Sequence, residues 1–222
     1  IIFFSYTIYV ILQQKRLSEI RTDFVNNMTH ELKTPISTIG LSAEAIISPS
    51  VSGSPERVKQ YVNIIRNENS RLRSQVDRVL QIASLSPRKV ALSQEIIDLH
   101  EVLRTAAATF EVQAAEQDGT LSTSLEALQA QVKGDRVHIT NVIYNLLDNA
   151  VKYSPDKPKI HIRTFNRDNR FFLEISDNGI GINKANQKLI FEKFYRVPTG
   201  NLHAVRGYGL GLFYVKTIIK SH

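Results

Sequence analysis

The sequence predicts an α+β protein, in which a long antiparallel helical hairpin is followed by an α/β sandwich. Apolar residues recur every three or four positions through two successive segments, and this spacing predicts two amphipathic helices. A cluster of serine, proline and glycine at 48–55 separates the two segments. Beyond residue 87 the pattern changes, and helical segments alternate with short runs typical of β-strands.

The first helix of the hairpin is predicted by an apolar stripe that ends near Ile47. The members of the stripe are Leu17, Ile20, Phe24, Met28, Leu32, Ile36 and Ile39. The second helix is expected to begin at Pro55, with Ser54 as its N-cap, and to stop before Pro87. One such hairpin presents a wider apolar face than it can bury within itself. We therefore expect two copies to pair as a homodimer with a four-helix bundle.

The rest of the chain is expected to alternate between helices and strands. Helices are predicted at 98–117, 135–153 and 210–220, and strands near 120–124, 130–133, 159–166 and 170–176. The first two of these helices open on Asp98 and Asp135, which can act as N-caps. Strands mixed with helices packed on one side predict an α/β sandwich rather than a doubly wound parallel sheet. A closing strand is expected after the last helix, so this domain is expected to continue past His222.

Composition excludes several classes of protein. The 222 residues include 28 Lys and Arg against 21 Asp and Glu, which gives a formal charge of +7. The basic residues are scattered and do not interleave with aromatic residues, so a nucleic-acid partner is not expected. The chain has no cysteine, which excludes disulfides, thiolate metal sites and cysteine nucleophiles.

The chain opens on a mainly apolar run, Ile1 to Leu12, and the basic residues Lys15 and Arg16 come after it. Twelve helical residues span about 18 Å, which is short of the roughly 30 Å hydrocarbon core of a bilayer. The run therefore fits either a buried core helix or the cytoplasmic end of a transmembrane helix, and the basic residues favour the second. We expect residues 1–14 to be the end of a transmembrane segment.

A histidine is the first candidate for chemistry. His30 lies between the apolar positions Met28 and Leu32, off the stripe, and is expected to face solvent. An exposed imidazole is largely neutral at cellular pH and can attack a phosphoryl group, while Glu31 can accept the other ring proton. Pro35 removes the helical partner of the Glu31 carbonyl and is expected to bend the helix. On these residues alone, a solvated surface histidine in a kinked helix is the favoured explanation.

Three asparagines form the second candidate. Asn141, Asn145 and Asn149 are spaced four apart and share one face of the helix at 135–153. Amide oxygens suit Mg²⁺, which prefers few protein ligands plus water and phosphate, and the ammonium group of Lys152 would meet phosphate charge. A polar helix face turned to water explains the same spacing equally well.

Two glycine loops form the third and fourth candidates. The run Asp177-Asn178-Gly179-Ile180-Gly181 comes after a predicted strand, and Gly207-Tyr208-Gly209-Leu210-Gly211 precedes a predicted helix. Glycine lets main-chain N–H groups approach an anion, and the helix N-terminus after the second loop adds partial positive charge. Neither loop has P-loop or dinucleotide-binding spacing. Asp177 is a candidate acceptor for the amino group of adenine. The stretch 197–206 is expected to be a mobile lid, and Arg196 in front of it is expected to reach phosphate.

A further segment, Phe191 to Arg196, lies between the two glycine loops. Taken in chain order, the five motifs resemble the H, N, first glycine, F and second glycine boxes of bacterial sensor histidine kinases. The resemblance covers residues 15–221, and five ordered motifs are far more specific than any single one. It implies a dimerisation and histidine-phosphotransfer hairpin at 15–86. It also implies, at 87–222, the ATP-binding fold shared with gyrase-type ATPases and the Hsp90 chaperones.

The resemblance implies a role for each matched residue. His30 would accept the phosphoryl group with Glu31 as its acid/base partner, and Thr34 would position water for dephosphorylation of the partner protein. Asn149 would ligate Mg²⁺. The residues that would contact ATP or shape its loops are Asn145, Lys152, Tyr153, Asp177, Gly179, Gly181, Arg196, Gly207, Gly209, Leu210 and Gly211.

The implied activity is ATP-dependent autophosphorylation, followed by transfer to an aspartate in the receiver domain of a response regulator, at the bacterial cytoplasmic (inner) membrane. The ATP domain must swing towards the histidine, and the linker at 85–91 is the expected hinge. Residues 13–24 are too few to hold a relay domain between the membrane and the H box. Two other classes are considered. A nucleotide-binding scaffold would need a degraded box, and a gyrase- or chaperone-like ATPase would carry a glutamate base where this chain has Asn145.

Overall fold

The computed structural model of the chain describes residues 2–84, 92–154, 156–197 and 209–222. Contacts between residues group the chain up to Ser84 into a helical unit, and most of the chain beyond Ser84 into an α/β unit. These are the two kinds of unit that the sequence predicts. The expected hinge at 85–91 and almost all of the expected lid at 197–206 lie outside the described residues.

The helical unit is a hairpin of two long helices. Helix α1 spans Ile2–Ile47, helix α3 spans Pro55–Ser84, and the two pack along each other. Helix α1 continues through Pro35, so the segment stays helical across a residue that removes one backbone hydrogen bond. A one-turn helix α2, Pro49–Ser52, lies inside the breaker cluster and was not predicted. It forms because proline at the first helical position needs no N–H partner and because Val51 is buried.

Part of the apolar surface of the hairpin remains exposed. Between residues 25 and 76, the large apolar side chains that are more than 40% exposed are Val25, Ile36, Leu41, Ile47, Val62 and Val76. Nearer the N-terminus, Phe3, Phe4 and Tyr9 are exposed as well. The described helices include none that is both long enough and apolar enough to cross a membrane.

The α/β unit contains two small sheets within the described residues. Strands β1, Glu95–Asp98, and β3, Gln131–Gly134, pair antiparallel. The other sheet has the order β2-β4-β5 and is formed by Thr120–Leu125, Lys159–Arg167 and Arg170–Ser176. Strand β4 lies at its centre, parallel to β2 and antiparallel to β5. This mixture of directions confirms that the unit is not a doubly wound parallel sheet.

Helices pack on the second sheet and on one another. Helices α4, α5 and α6 span Leu99–Ala115, Arg136–Lys152 and Gly211–Ser221. Helices α4 and α5 share a core with the sheet, and α6 packs on α5. The predicted alternation of β4 is confirmed, because Ile160 and Ile162 are buried in one core with residues of α4 and α5, whereas Arg163 is exposed. Full burial of each isoleucine contributes about 1.5–3 kcal/mol.

Both predicted N-caps are present. The Asp98 carboxylate accepts hydrogen bonds from the backbone N–H groups of His100 at 2.9 Å and Glu101 at 3.4 Å. The Asp135 carboxylate accepts one from the backbone N–H of His138 at 3.0 Å. These bonds fix where α4 and α5 begin, because they satisfy N–H groups that have no partner inside the helix.

Two elements of the α/β unit were not predicted. Strand β1 has only four residues, of which Ile96 is 74% exposed and Ile97 is fully buried, so the run is too short for alternation to be recognised. A single 3₁₀ turn, Leu189–Phe191, lies in the segment between the glycine loops. Turns of this length carry no periodic signal.

Helix α6 lies along α5, and polar contacts join the two. The Tyr214 hydroxyl lies 2.7 Å from Nδ1 of His138, and burial raises the pKa of that hydroxyl above its ordinary value. At the start of α5, the backbone N–H of Asp135 donates to Nε2 of His222 at 2.9 Å. Two directional contacts at separate points fix the register of α6 on α5.

The Asp135 cap generates a prediction for stability against pH. Burial acts to raise the pKa of Asp135, but the backbone N–H groups of His138 and Ser93 donate to its carboxylate, and the pKa is held below its ordinary value. Its stabilisation is therefore present above the unfolded-state pKa of about 3.9, and is lost as the pH falls through the lower folded-state value. At pH 7, Asp135→Ala should lower the free energy of unfolding by about 1–2 kcal/mol.

Urea unfolding at pH 7 and pH 3 measures this effect, and the difference between variant and wild type should shrink at the lower pH. Asp156→Ala, at an exposed turn position, is the control and should change stability by less than about 0.5 kcal/mol. A difference for Asp135→Ala that is the same at both pH values would contradict the assignment.

Candidate functional site

Helix α5 carries the row of three asparagines. Asn141, Asn145 and Asn149 are all half-buried, so the row is not simply a polar face turned to water. The side-chain amide of Asn145 donates to the backbone carbonyl of Asn141 at 2.7 Å. This bond orients Asn145 along the face of α5 that carries the row.

The end of the second glycine loop lies against this row. Gly211 is the first residue of α6, and a Cβ added there would lie 2.9 Å from Oδ1 of Asn145. Gly209 adopts a left-handed backbone, with φ of +65°, which glycine tolerates without strain. Leu210 is buried, and Gly207 lies outside the described residues. The structure thus brings Asn145 and Gly211 together.

The first glycine loop lies against the other end of α5. A Cβ on Gly179 would lie 2.6 Å from the backbone carbonyl oxygen of Tyr153, and the backbone N–H of Ile180 donates to that same oxygen at 3.0 Å. The Asp177 carboxylate accepts the backbone N–H of Gly179 at 2.8 Å. Gly181 has φ of +68°. Only glycine fits at position 179, because a backbone atom stands where a side chain would begin.

Charged groups gather near the same end of α5. Burial is the main cause that raises the pKa of the Tyr153 hydroxyl; the charge of Arg196 acts in the opposite direction and Asp148 reinforces the increase. Arg196 and Asp148 therefore lie close enough to Tyr153 to act on it. Lys152 precedes Tyr153 at the last position of α5. The structure thus places a residue of the F box beside the end of the N box.

The segment before the expected lid is attached to α6. The ammonium group of Lys193 lies 5.3 Å from the ring centre of Phe194 and 5.6 Å from that of Phe213, and Lys216 pairs with Glu192 at 3.3 Å. Phe194 has φ of +70°, which is a strained conformation for an aromatic residue. Such strain persists only where neighbouring contacts hold it. These contacts hold the base of the segment that carries Arg196.

The residues of the H box lie on α1. His30 and Thr34 are exposed, and Glu31 is half-buried. The expectation that His30 faces solvent is confirmed. These three residues lie in the helical unit, whereas the asparagine row and Asp177 lie in the α/β unit.

The grouped side chains define what the α/β unit can bind. It presents an exposed carboxylate at Asp177, half-buried amides along α5, and the cationic groups of Lys152 and Arg196. Backbone N–H groups at the start of α6 add favourable sites for an anion. No cluster of three or more His, Cys, Asp and Glu suited to a metal occurs among the described residues, so a bound cation would depend on amide oxygens. This set suits a polyanion that also carries a hydrogen-bond donor.

Sequence reasoning missed the contacts that hold these groups in place. The hydrogen bonds of Asn178 and the His138–Tyr214 pair join positions distant in sequence, which no local spacing reveals. For Asn178 the available signal was an Asn-Gly pair after a strand, which indicates a turn but not its partners.

Comparisons with known proteins agree with this geometry. Residues 20–88 match the family model of the His Kinase A (phospho-acceptor) domain. Residues 134–222 match the model of the histidine kinase-, DNA gyrase B-, and HSP90-like ATPase. The sensor protein RprX of Bacteroides fragilis is 46% identical in an alignment of 226 positions that covers 100% of this chain and 43% of that protein. The chain thus spans less than half the length of this relative.

Two solved histidine kinases share the fold over both units. ShkA, solved in complex with AMPPNP, has a TM-score of 0.61 and 20% identity, and the match covers 87% of this chain and 40% of that one. ThkA, solved in complex with the response regulator protein TrrA, has a TM-score of 0.56 and 25% identity, with coverage of 87% and 55%. The predicted α+β fold is confirmed by these neighbours. Since both domain models match in order and RprX aligns with the whole chain, the chain belongs to the family of bacterial sensor histidine kinases.

Proposed function

We propose that this chain transfers the γ-phosphoryl group of ATP to its own His30, and from there to an aspartate of a response regulator in two-component signalling. One combination of features carries the proposal. The α/β unit packs two glycine loops against the helix that bears the asparagine row, and the helical hairpin of the same chain presents the exposed His30. We assign residues 15–86 to dimerisation and phosphotransfer, and residues 87–222 to ATP binding.

The α/β unit supplies the nucleotide site in this proposal. Asp177 accepts the amino group of adenine, and the backbone at Gly179, Gly181, Gly207, Gly209, Leu210 and Gly211 shapes the two loops around the nucleotide. Support comes from Gly179 and Gly211, because a Cβ at either position would collide with helix α5 or its C-cap. Lys152, Tyr153 and Arg196 contact the nucleotide or its phosphates.

Asn149, with Asn145 close by, holds Mg²⁺ in this proposal. When bound, the ion would neutralise charge on the phosphates. Half-buried amides suit this ion, because hard cations prefer oxygen ligands and Mg²⁺ keeps several waters. The amides bring no charge of their own, so the cation retains its full attraction for phosphate.

His30 acts as the nucleophile. A neutral imidazole nitrogen forms a bond to the γ-phosphorus as the bond to the bridging oxygen breaks, and ADP leaves. Glu31 takes the proton from the other ring nitrogen. Exposure of His30 supports this role, because the ring must be reachable by a nucleotide held on a separate unit. The segment 85–91 is the proposed hinge for that approach.

Two partners belong to the proposal. A second copy of the chain would cover apolar side chains left exposed on α1 and α3, such as Val25, Ile36 and Val62, and complete a four-helix bundle. A response-regulator receiver domain would take the phosphoryl group, and the structure of ThkA with TrrA supports this choice. The exposed Phe3, Phe4 and their neighbours support the proposal that residues 1–14 end a transmembrane segment in the bacterial inner membrane.

Incubation with γ-labelled ATP tests the function against its rivals. Acid-labile, base-stable label on the protein identifies a histidine kinase. Released phosphate without label on the protein identifies an ATPase of the gyrase or chaperone type. Asn145 stands where such an ATPase needs a glutamate base, which is why we favour the kinase.

The phosphoacceptor role predicts the result of His30→Ala. The variant should lose all label on the protein, because the nucleophile is gone, while ATP affinity should stay within about twofold since His30 lies outside the α/β unit. Autoradiography measures the label, and titration of a fluorescent ATP analogue measures the affinity. His161→Ala, on the outer face of the sheet, is the control and should keep the label. Undiminished label on His30→Ala would remove the assignment.

The metal role predicts that Asn149→Asp impairs use of Mg-ATP. A carboxylate in place of the amide brings negative charge next to the phosphates and cancels charge on the ion, so the rate of labelling should fall by at least about tenfold. Asn169→Asp is the matched control, because Asn169 lies in the β4–β5 turn with φ of +59°, which aspartate tolerates as well. Labelling across a Mg²⁺ titration measures both, and equal rates for the two variants would argue against Asn149 as the ligand.

The proposed role of Thr34 in dephosphorylation predicts a separation of activities. Thr34→Ala should keep autophosphorylation within about twofold, because the hydroxyl takes no part in the attack by His30. Release of phosphate from the phosphorylated receiver should fall by about tenfold or more, since the water loses its positioning group. Thr38→Ala, one turn along the same helix, is the control. A parallel loss of both activities in Thr34→Ala would count against the separation.

A further inference from the structure

A strained turn leads into the central strand β4. Lys157 has φ of +47°, a left-handed conformation that costs free energy for a residue other than glycine. On one side the turn is held by β2, because the backbone N–H of Thr120 donates to the Pro158 carbonyl at 2.7 Å. Gly119 lies so close that a Cβ there would collide with the Pro158 carbonyl oxygen. The turn therefore needs a contact on its other side to stay in place.

Asn178 supplies that contact. Its side-chain oxygen accepts the backbone N–H of Lys159 at 2.8 Å, and its amide nitrogen donates to the backbone carbonyl of Lys157 at 3.4 Å. One side chain thus satisfies both a donor and an acceptor of the turn. We name these two hydrogen bonds the Asn178 clasp.

The clasp acts on the first glycine loop as much as on the turn. Asn178 stands between Asp177 and Gly179, and the hydrogen bond from the Gly179 N–H to the Asp177 carboxylate spans it. The next residue, Ile180, is tied to the Tyr153 carbonyl. The clasp connects this short loop to the start of β4, so the direction of the Asp177 carboxylate depends on it.

We propose that Asn178 is a positioning residue that fixes the Asp177 carboxylate for reading the purine base, without itself contacting the nucleotide. The inference rests on the proposed function, in which Asp177 accepts the amino group of adenine. It predicts that Asn178 governs discrimination between bases, and not only affinity. Loss of a residue with only a structural role would weaken the binding of all nucleotides alike.

The chain contains a matched control for the clasp. Asn166, near the opposite end of β4, makes the same pair of bonds: its side-chain oxygen accepts the backbone N–H of Gln129 at 2.9 Å and its amide donates to the Gln129 carbonyl at 2.9 Å. Removal of either asparagine side chain deletes one donor and one acceptor bond to backbone. Only the clasp of Asn178 adjoins Asp177.

The test compares ADP with inosine 5′-diphosphate, in which a carbonyl replaces the amino group. Wild type should prefer ADP, since a carboxylate accepts from an amino group and repels a carbonyl. Asn178→Ala should weaken the binding of ADP by about tenfold, the equivalent of about one hydrogen bond. It should weaken the binding of inosine diphosphate by less than about twofold. The preference for ADP should fall accordingly, while the rate at saturating ATP stays within about twofold of wild type. Asn166→Ala should lose a similar amount of thermal stability and keep wild-type binding.

Asn178→Asp tests the same point in a variant of the same shape. It retains the oxygen that accepts from Lys159 at 2.8 Å, loses the longer contact to Lys157 and adds a negative charge beside Asp177. Its preference for ADP should fall by about threefold. This variant gives the answer if Asn178→Ala does not fold.

Three results would overturn the clasp as a positioning device. The first is an unchanged preference for ADP in both Asn178 variants. The second is an equal loss of affinity for ADP and for inosine diphosphate. The third is a loss of ADP affinity in Asn166→Ala that equals the loss in Asn178→Ala. A wild-type chain that binds neither diphosphate would reject the proposed function itself, and the inference with it.

Discussion

Close approach of two loop backbones to helix α5 is the constraint on which the candidate nucleotide site depends. Gly179 lies where a Cβ would be 2.6 Å from the Tyr153 carbonyl, and Gly211 lies where a Cβ would be 2.9 Å from the Asn145 amide oxygen. The two contacts differ in kind, because a backbone carbonyl cannot turn aside whereas a side-chain amide can rotate. The contact at Gly179 is consequently the stricter of the two. In our proposal the loop with the strict contact reads the base, while the adjustable contact lies next to the phosphates and the metal.

Helix α6 can present the second loop only if it keeps its register on α5. Apolar packing alone has no direction along the axis, so neighbouring helices could slide by fractions of a turn. The bond between His138 and Tyr214, together with the one from the Asp135 N–H to His222, removes that freedom at two points. Partly buried polar pairs of this kind favour one arrangement because another would break their hydrogen bonds. The place of Gly211 beside Asn145 results from this register.

The parts of the fold that the sequence predicts are those with a strong local signal. The long amphipathic stripes indicated α1 and α3, alternation indicated β4, and aspartates in front of helical runs marked the starts of α4 and α5. The four-residue strand β1 and the one-turn helix α2 escaped because four residues hold only two periods of a strand or about one of a helix, too few for a pattern to be recognised. Contacts decide those elements, and contacts cannot be read from spacing.

For the candidate site, the sequence likewise predicted which residues take part but not how they are arranged. The spacing of the asparagine row fitted both a water-facing stripe and a ligand set, and its half-buried state became known only from the structure. The order of five motifs resolved that ambiguity through resemblance. The Asn178 clasp remained invisible, because its partners lie 19 and 21 residues away on a turn whose shape depends on β2.

In the proposed mechanism, the exposed His30 and the braced nucleotide site have complementary roles. His30 would have to be reachable both by the nucleotide and by a receiver domain, so it could not be enclosed in a pocket that aligns it. Catalysis of phosphoryl transfer is mainly alignment and neutralisation of charge, and the precision has to come from the unit that delivers the phosphoryl group. The caps, the α5–α6 contacts and the Asn178 clasp all lie in that unit. In this proposal, bracing contacts are therefore concentrated in the unit that would hold the phosphoryl donor, and access is preserved in the unit that would carry the acceptor histidine.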